Sequence, residues 1–344
     1  MLNTRHRDVL RAVVTDYIRT AEPVGSRTLS RKYGFSLSPA TIRTIMADLE
    51  ELGYLGQPHT SAGRVPTDRG YRLYVDSLME RSALSPAEME RIEQLVGPMT
   101  GETGELLRAV GKLLSALSPY VAVAMARRIH ETRFRRVEFV SLASDRILVV
   151  LLAESGLVHH KIVLVDEPMS QEQLDRIARY LTELLQKHTL KAARELLLTE
   201  MADEKAQYDR LLAQAIRVGT KALDDEEGEA DIYVAGVARI ADQPEFAEVG
   251  RMKALFAAFE EKSKLVMILN ECLTGEESKI FIGSELPVQD IGELSVIAAP
   301  YRQADEILGV LGMVGPTRMD YGRTQALVQT TAHLLSRILT GRVA

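Results

Sequence analysis

Apolar residues in the first eighty positions recur at helical spacing. Leu10, Val13, Val14, Tyr17 and Ile18 share a face, which predicts an amphipathic helix over 5–19. Glu22-Pro23-Val24-Gly25 breaks the pattern. A short helix is predicted from Arg27 to Tyr33, stopped at Gly34, and Phe35-Ser36-Leu37 reads as a turn. Ser38 is a good N-cap, and Pro39 suits the first helical position because its missing N–H costs nothing there. The third helix then runs to about Leu52, where Gly53 ends it. At roughly 100° per residue, Ile42, Ile45, Met46, Leu49 and Leu52 form its core face. The opposite face shows Ala40, Arg43, Thr44 and Ala47, with Thr41 at its edge. Tyr54 to Pro58 and Arg64 to Pro66 can pair as a hairpin around 59–63. A helix capped by Thr67-Asp68 follows, carrying Tyr71, Tyr74, Val75 and Leu78.

The pattern changes further along. Residues 80–118 read as helix with a Gly-rich hinge at Gly97-Pro98 and Gly101 to Gly104, and Ser85-Pro86-Ala87-Glu88 as another capped start. Over 119–165 the runs Val137 to Leu142, Ile147 to Leu152 and Val158 to Val165 read as an antiparallel meander. Residues 166–262 are mostly helical, with Gln171 to Lys187 and Lys205 to Leu223 the clear cases and an acidic loop at 224–229. Over 263–344 strands are predicted at Leu265 to Leu269, Lys279 to Ile282, Leu294 to Ala299 and Ile307 to Val314, before a closing helix from Tyr321 to Leu339. Strands, then helices, then strands predict an α+β domain interrupted by an insertion.

Charge sharpens this picture. The 344 residues carry a net charge of −6. Residues 1–76, however, hold 11 Lys and Arg against 8 Asp and Glu, and the remainder holds 31 against 40. A basic amino end on an acidic body lets one end approach phosphate. The longest apolar runs, Ile147 to Ala153 and Val121 to Ala126, fall well short of the ~18–20 residues that span a bilayer. The start MLNTRHRD lacks an apolar signal segment, so a cytoplasmic protein with no membrane partner is expected.

Helix, turn, helix and hairpin is the order of a winged helix-turn-helix. Small and polar side chains let the third helix approach base edges, and Arg43 can form a bidentate contact with guanine. Asp48, Glu50 and Glu51 cluster late in that helix, where phosphate would repel them, so it is expected to enter a groove by its amino end. Its competitor is a three-helix cap or dimer module with a solvated polar face.

Other chemistry finds no support. His159-His160 in a strand point to opposite faces and cannot chelate one metal. The remaining histidines lack helical metal spacing. The single cysteine, Cys272, excludes an internal disulfide and reads as a small core residue. Gly309, Gly312 and Gly315 read as sites of close packing rather than a phosphate loop. No nucleophile, base and orienter set is visible, so neither an enzyme nor a cofactor is expected.

The segments PVGSRTL, SPATIR, MADLEELG and QPHTSAGRVPTDRGYR, in this order, resemble the amino-terminal domain of the HrcA family of bacterial heat-inducible transcription repressors. IFIGSE at 280–285 and GVLGMVGPTRMDY at 309–321 resemble the same family. The family commonly has Asn after the Arg of SPATIR, whereas Thr44 stands here. The resemblance implies a homodimer built of a winged helix, a GAF-like domain and a dimerising insertion. It further implies repression of chaperone operons through the CIRCE inverted repeat, with the GroEL chaperonin supporting the active form.

Together these readings give an expected division. Residues 1–79 form a winged helix-turn-helix, 80–118 a helical linker, 119–165 with 263–344 a GAF-like domain, and 166–262 a dimerising insertion. Double-stranded DNA is the expected ligand. Arg43, Thr41 and Thr44 are the candidates for base contact, Ser26, Arg27 and Ser38 for phosphate, and His59, Thr60 and Arg64 for the wing. A regulator gated by a small molecule in the GAF-like domain is the alternative.

Overall fold

The structure is a computed structural model. It describes residues 2–59, 62–80, 82–96, 103–126, 134–153, 158–165, 168–186, 188–189, 192–193, 196, 218, 232–240, 242–260, 262–273, 277–287, 294–303 and 306–341. Its contacts divide the chain into two compact units. One comprises Met1–Met125, Ile232–Arg302 and Gly309–Ile338, and the other Ala126–Asp231 with Gln303–Leu308 and Leu339–Ala344.

The first unit begins with α1 (Thr4–Thr20), α2 (Ser26–Lys32) and α3 (Pro39–Glu51), then the two-residue strands β1 (Leu55–Gly56) and β2 (Val65–Pro66), then α4 (Asp68–Ser77). Three of these four helix starts carry a side-chain cap. Asn3 caps α1 by accepting from the His6 N–H, Ser38 caps α3 through the Thr41 N–H, and Thr67 caps α4 through the Gly70 N–H. Val9, Leu10, Val13 and Val14 of α1, Leu29 of α2, and Ile42, Ile45, Met46 and Leu49 of α3 are all buried. Asp16, buried on α1, pairs with Lys32 at the end of α2 at 2.5 Å and with Arg19 at 3.1 Å. The hairpin is shorter than the sequence suggests: Leu55 pairs with Pro66 and Gly56 with Val65, while Arg64 bridges to Val24 instead.

Helices α5 (Pro86–Val96) and α6 (Thr103–Leu117) and strand β3 (Val121–Ala126) follow. The second unit contains β4 (Phe134–Ala143), β5 (Arg146–Ala153) and β6 (Val158–Leu164), paired antiparallel in that order, and α7 (Gln171–Leu185). Alternation assigns the two faces of the meander. Val137, Phe139, Ile147, Val149, Leu151 and Val163 pack with Leu174, Ile177, Leu181 and Leu185 of α7. The helix also closes the open edge of β4. Gln171 donates to the Phe139 carbonyl at 2.8 Å and accepts from the Ser141 N–H at 3.1 Å, and Thr182 accepts from the Val137 N–H at 3.3 Å. An edge covered in this way cannot template another strand.

The chain then returns to the first unit with β7 (Ile232–Ala235), α8 (Val237–Ile240), α9 (Val249–Glu260), α10 (Lys262–Asn270), β8 (Lys279–Ile282), β9 (Leu294–Gln303), β10 (Glu306–Pro316) and α11 (Tyr321–Gly341). Five strands make one sheet in the order β7-β3-β10-β9-β8. Its glycines admit close approach. A Cβ at Gly309 would lie 2.1 Å from the Met125 carbonyl oxygen, one at Gly312 3.1 Å from Val123, and one at Gly315 2.7 Å from the Tyr120 ring.

Three expectations are corrected. Leu265 to Leu269 is helix, not strand: Leu265, Ile268, Leu269 and Cys272 are buried at helical spacing while Met267 faces solvent. Strand β7 lies inside a stretch read as helical and pairs with β3. Leu52 is 46% exposed rather than core: it is the cap that closes α3, at the edge of the buried stripe about 80° round from Ile42. The meander, expected in the GAF-like domain, forms a sheet of its own packed on α7. The helix read at Lys205 to Leu223 (apart from Val218), the acidic run 224–229 and the hinge at 97–102 lie outside the described residues.

Candidate nucleic-acid interface

Helix α3 presents two chemically distinct faces. Its apolar face is fully engaged with α1 and α2 through Ile42, Ile45, Met46 and Leu49. Ala40, Thr41, Arg43, Thr44 and Ala47 are exposed on the other side. Among the described residues Arg43 makes no hydrogen bond or ion pair, so its guanidinium keeps all its donors for an outside acceptor. The hydroxyls beside it are partly committed. Ser38 Oγ accepts from the Thr41 N–H at 3.1 Å and lies 3.0 Å from Thr41 Oγ1, and Thr44 Oγ1 donates to the Ala40 carbonyl at 3.3 Å. Each hydroxyl oxygen retains acceptor or donor capacity after one such bond.

One of the three carboxylates late in α3, Glu50, is paired with a permanent cation, and Asp48 has a histidine beside it. Asp48 lies 3.3 Å from His6 Nε2, and Glu50 lies 2.7 Å from Arg64. The repulsion that Glu50 would exert on phosphate is smaller than the sequence alone implies, and Glu51 remains exposed.

The other candidates separate into two groups. Arg27 is exposed on α2 and makes no bond among the described residues, while Ser26, the first residue of that helix, is half-buried. His59 is exposed at the hairpin, where its carbonyl accepts from the Ala62 N–H at 2.9 Å and tightens the turn. Thr60 lies outside the described residues. Arg64 is the exception. Its side chain is only 20% exposed, its guanidinium pairs with Glu50, and its backbone N–H and carbonyl both bond Val24 at 2.9 Å. It ties the hairpin to α3 and to the segment before α2 rather than reaching outward.

The stretch from Gly63 to Tyr71 is built for this geometry. A Cβ at Gly63 would lie 2.4 Å from the Val24 carbonyl oxygen, and one at Gly70 2.1 Å from that of Tyr54, so only glycine allows these backbones to touch. Thr67 Oγ1 donates to the Gly53 carbonyl at 2.7 Å. Arg69 stacks over the Tyr54 ring at 4.7 Å and donates to the Leu52 carbonyl at 3.0 Å, satisfying the end of α3. These positioning residues were visible only as a motif. Their partners are set by tertiary contact, which spacing does not encode.

Among the described residues no three His, Cys, Asp or Glu side chains are grouped to hold a metal ion, and no helix is long and apolar enough to cross a membrane. Burial pushes the Cys272 thiol up to about 11.

Against this geometry the comparisons with known proteins are decisive. Residues 104–324 match the HrcA protein C terminal domain. Over 340 residues, 99% of each chain, the sequence is 45% identical to the heat-inducible transcription repressor HrcA of Geobacter sulfurreducens. The chain belongs to the HrcA family. It is also 42% identical over 339 residues to the HrcA repressor of Syntrophobacter fumaroxidans, covering 98% of this chain and 97% of that one. The fold is similar to a crystal structure described as a hypothetical protein at 2.2 Å resolution, with TM-score 0.61, 23% identity and 99% of each chain covered. As an HrcA protein the chain is a DNA-binding heat-shock transcription repressor, not an enzyme.

Proposed function

We propose that this repressor acts as a homodimer on the CIRCE inverted repeat upstream of chaperone operons. Residues 1–79 act as a winged helix-turn-helix, with α3 as the recognition helix entering the major groove by its amino end. Arg43 reads a base edge with Thr41 and Thr44 beside it. Ser26, Arg27 and Ser38 contact phosphate, and His59 and Thr60 approach the backbone from the wing. Arg64 holds the wing in place instead of contacting phosphate. The observation that carries this reading is the exposed, small-residue face of α3 with Arg43 uncommitted at its centre.

The five-stranded sheet with its flanking helices serves as the GAF-like domain. Dimerisation uses the second unit, whose meander carries exposed Val140, Leu142, Ile162 and Leu164. The GroEL chaperonin shifts the repressor toward its DNA-competent fold in the cytoplasm, so that occupancy of the chaperonin by unfolded protein releases the genes.

The test is fluorescence anisotropy of a labelled CIRCE duplex beside a scrambled duplex, across salt concentrations, with and without chaperonin. A preference of order 10³ for the repeat supports the reading. Arg43→Ala is expected to cost ~1–3 kcal/mol at the repeat and to weaken discrimination. Equal losses on both duplexes would reduce Arg43 to a phosphate contact. An unchanged active fraction on adding chaperonin would remove that arm of the circuit.

A further inference from the structure

The DNA-reading segment is not tethered loosely to the rest of its compact unit. On α4, Arg72 donates through Nε to Glu285 Oε1 at 2.7 Å and through Nη2 to the Ile280 carbonyl at 2.6 Å, and Nη2 also pairs with Glu285 Oε2. Glu285 is itself fixed, accepting from the Ile282 N–H at 2.9 Å. One turn earlier on α4, Asp68 accepts from the Ser284 N–H at 2.9 Å. Gly283 sits between them at φ +49, and a Cβ there would lie 2.4 Å from the Asp68 carboxylate. At the other side of the segment, Arg318 donates to the Ile18 carbonyl at the end of α1 at 2.7 Å while paired with Glu245 at 2.6 Å. Tyr71 packs on Tyr321 with ring centroids 5.8 Å apart. The carboxyl-terminal stretches 280–285 and 315–321 therefore form the seat of α1 and α4.

We propose that Asp68, Arg72, Glu285 and Arg318 are positioning residues for operator reading: they latch the DNA-reading segment to the sheet domain and so make the dimer selective for the spacing between half-sites. A bidentate arginine–carboxylate pair fixes direction as well as distance, which a point-charge contact does not. With the latch closed, α3 has one bearing on the sheet domain and a repeat with the wrong spacing cannot engage both copies. With it open, each α3 finds its half-site independently and spacing matters less. The proposal rests on the homodimer reading above.

The experiment uses the full chain and three duplexes: a single half-site, the CIRCE repeat, and the repeat with its spacer lengthened by about half a helical turn, roughly 5 base pairs. Arg72→Glu, Glu285→Arg and the double exchange are compared with the parent. Each single variant is expected to keep its half-site affinity and its mass by sedimentation, yet to lose about tenfold of its preference for the correct spacer. The double exchange is expected to regain part of it, because the ion pair re-forms while the bonds to the Ile280 carbonyl and from the Ile282 N–H do not. Undiminished spacing preference in both single variants overturns the latch. Failure of the double exchange to regain any of the preference while both singles lose it shows a folding defect at α4 and equally overturns it. A monomeric parent, or one without preference for the repeat over scrambled DNA, overturns the homodimer reading first and removes the basis for the latch.

Discussion

At the scale of single residues, two buried groups make opposite predictions. The Tyr71 hydroxyl is buried and has no hydrogen-bond partner among the described residues, and its pKa is raised well above the ordinary value by burial. A buried donor without a partner bears its desolvation cost unrecovered. Tyr71→Phe is therefore expected to be neutral or to stabilise by up to ~1 kcal/mol in chemical denaturation. A loss larger than that would reveal a partner for the hydroxyl. Gly70, one residue earlier, has no slack: Gly70→Ala drives a methyl group into the Tyr54 carbonyl and is expected to destabilise by ~1–3 kcal/mol. Equal denaturation midpoints for parent and variant would mean that α4 shifts freely. Cys272 makes a third point. Its thiol is pushed up by burial, so it reacts slowly with thiol reagents until the chain unfolds.

At the scale of elements, acid sensitivity concentrates at the start of α5. Hydrogen bonds from Arg323 and then from Ser85 lower the Glu88 carboxyl from 4.5 to about 2. Arg323 lies 2.6 Å away on α11. A folded-state pKa below the unfolded one gives stability that is complete above the unfolded value and is lost as pH falls through the folded value. Glu88→Gln is thus expected to be less stable than the parent at neutral pH, with the gap closing between pH 4.5 and about 2. Denaturant melts at several pH values check this, and a gap constant across that window removes Glu88 as the source. Much of the element layout was legible in the sequence. The caps at Ser38, Thr67 and Ser85 and the alternation of the meander are local signals. The misreadings fall where local signal is weak. The run Leu265 to Leu269 is short and apolar, and helix and strand look alike at that length. β7 has four half-buried residues and owes its strand form to pairing with β3. In the candidate site, the uncommitted Arg43 followed from helical spacing. The engagement of Arg64 by Glu50 did not, because it depends on how the hairpin folds back on α3.

At the scale of the whole molecule, the question is what covers the outer face of the meander. One face is filled by α7, and the other exposes Ile162 at 57% and Leu164 at 61%, with Val140 and Leu142. Across the strands Val140 stands opposite Leu148, and Leu148 opposite Ile162, so these side chains form one continuous row. An apolar row of this kind fits the self-complementary two-fold interface proposed above. Ile162→Asp places a charge that each copy would have to bury against the other. It is expected to convert the protein to monomer at micromolar concentration in sedimentation while leaving thermal stability nearly unchanged, since Ile162 is exposed in the single chain. Affinity for the full repeat then falls toward that for one half-site, because the second contact is no longer intramolecular. A dimer of unchanged strength in the variant would place the interface elsewhere on the second unit. A monomer that still bound the repeat as tightly as the parent would separate dimerisation from operator reading altogether.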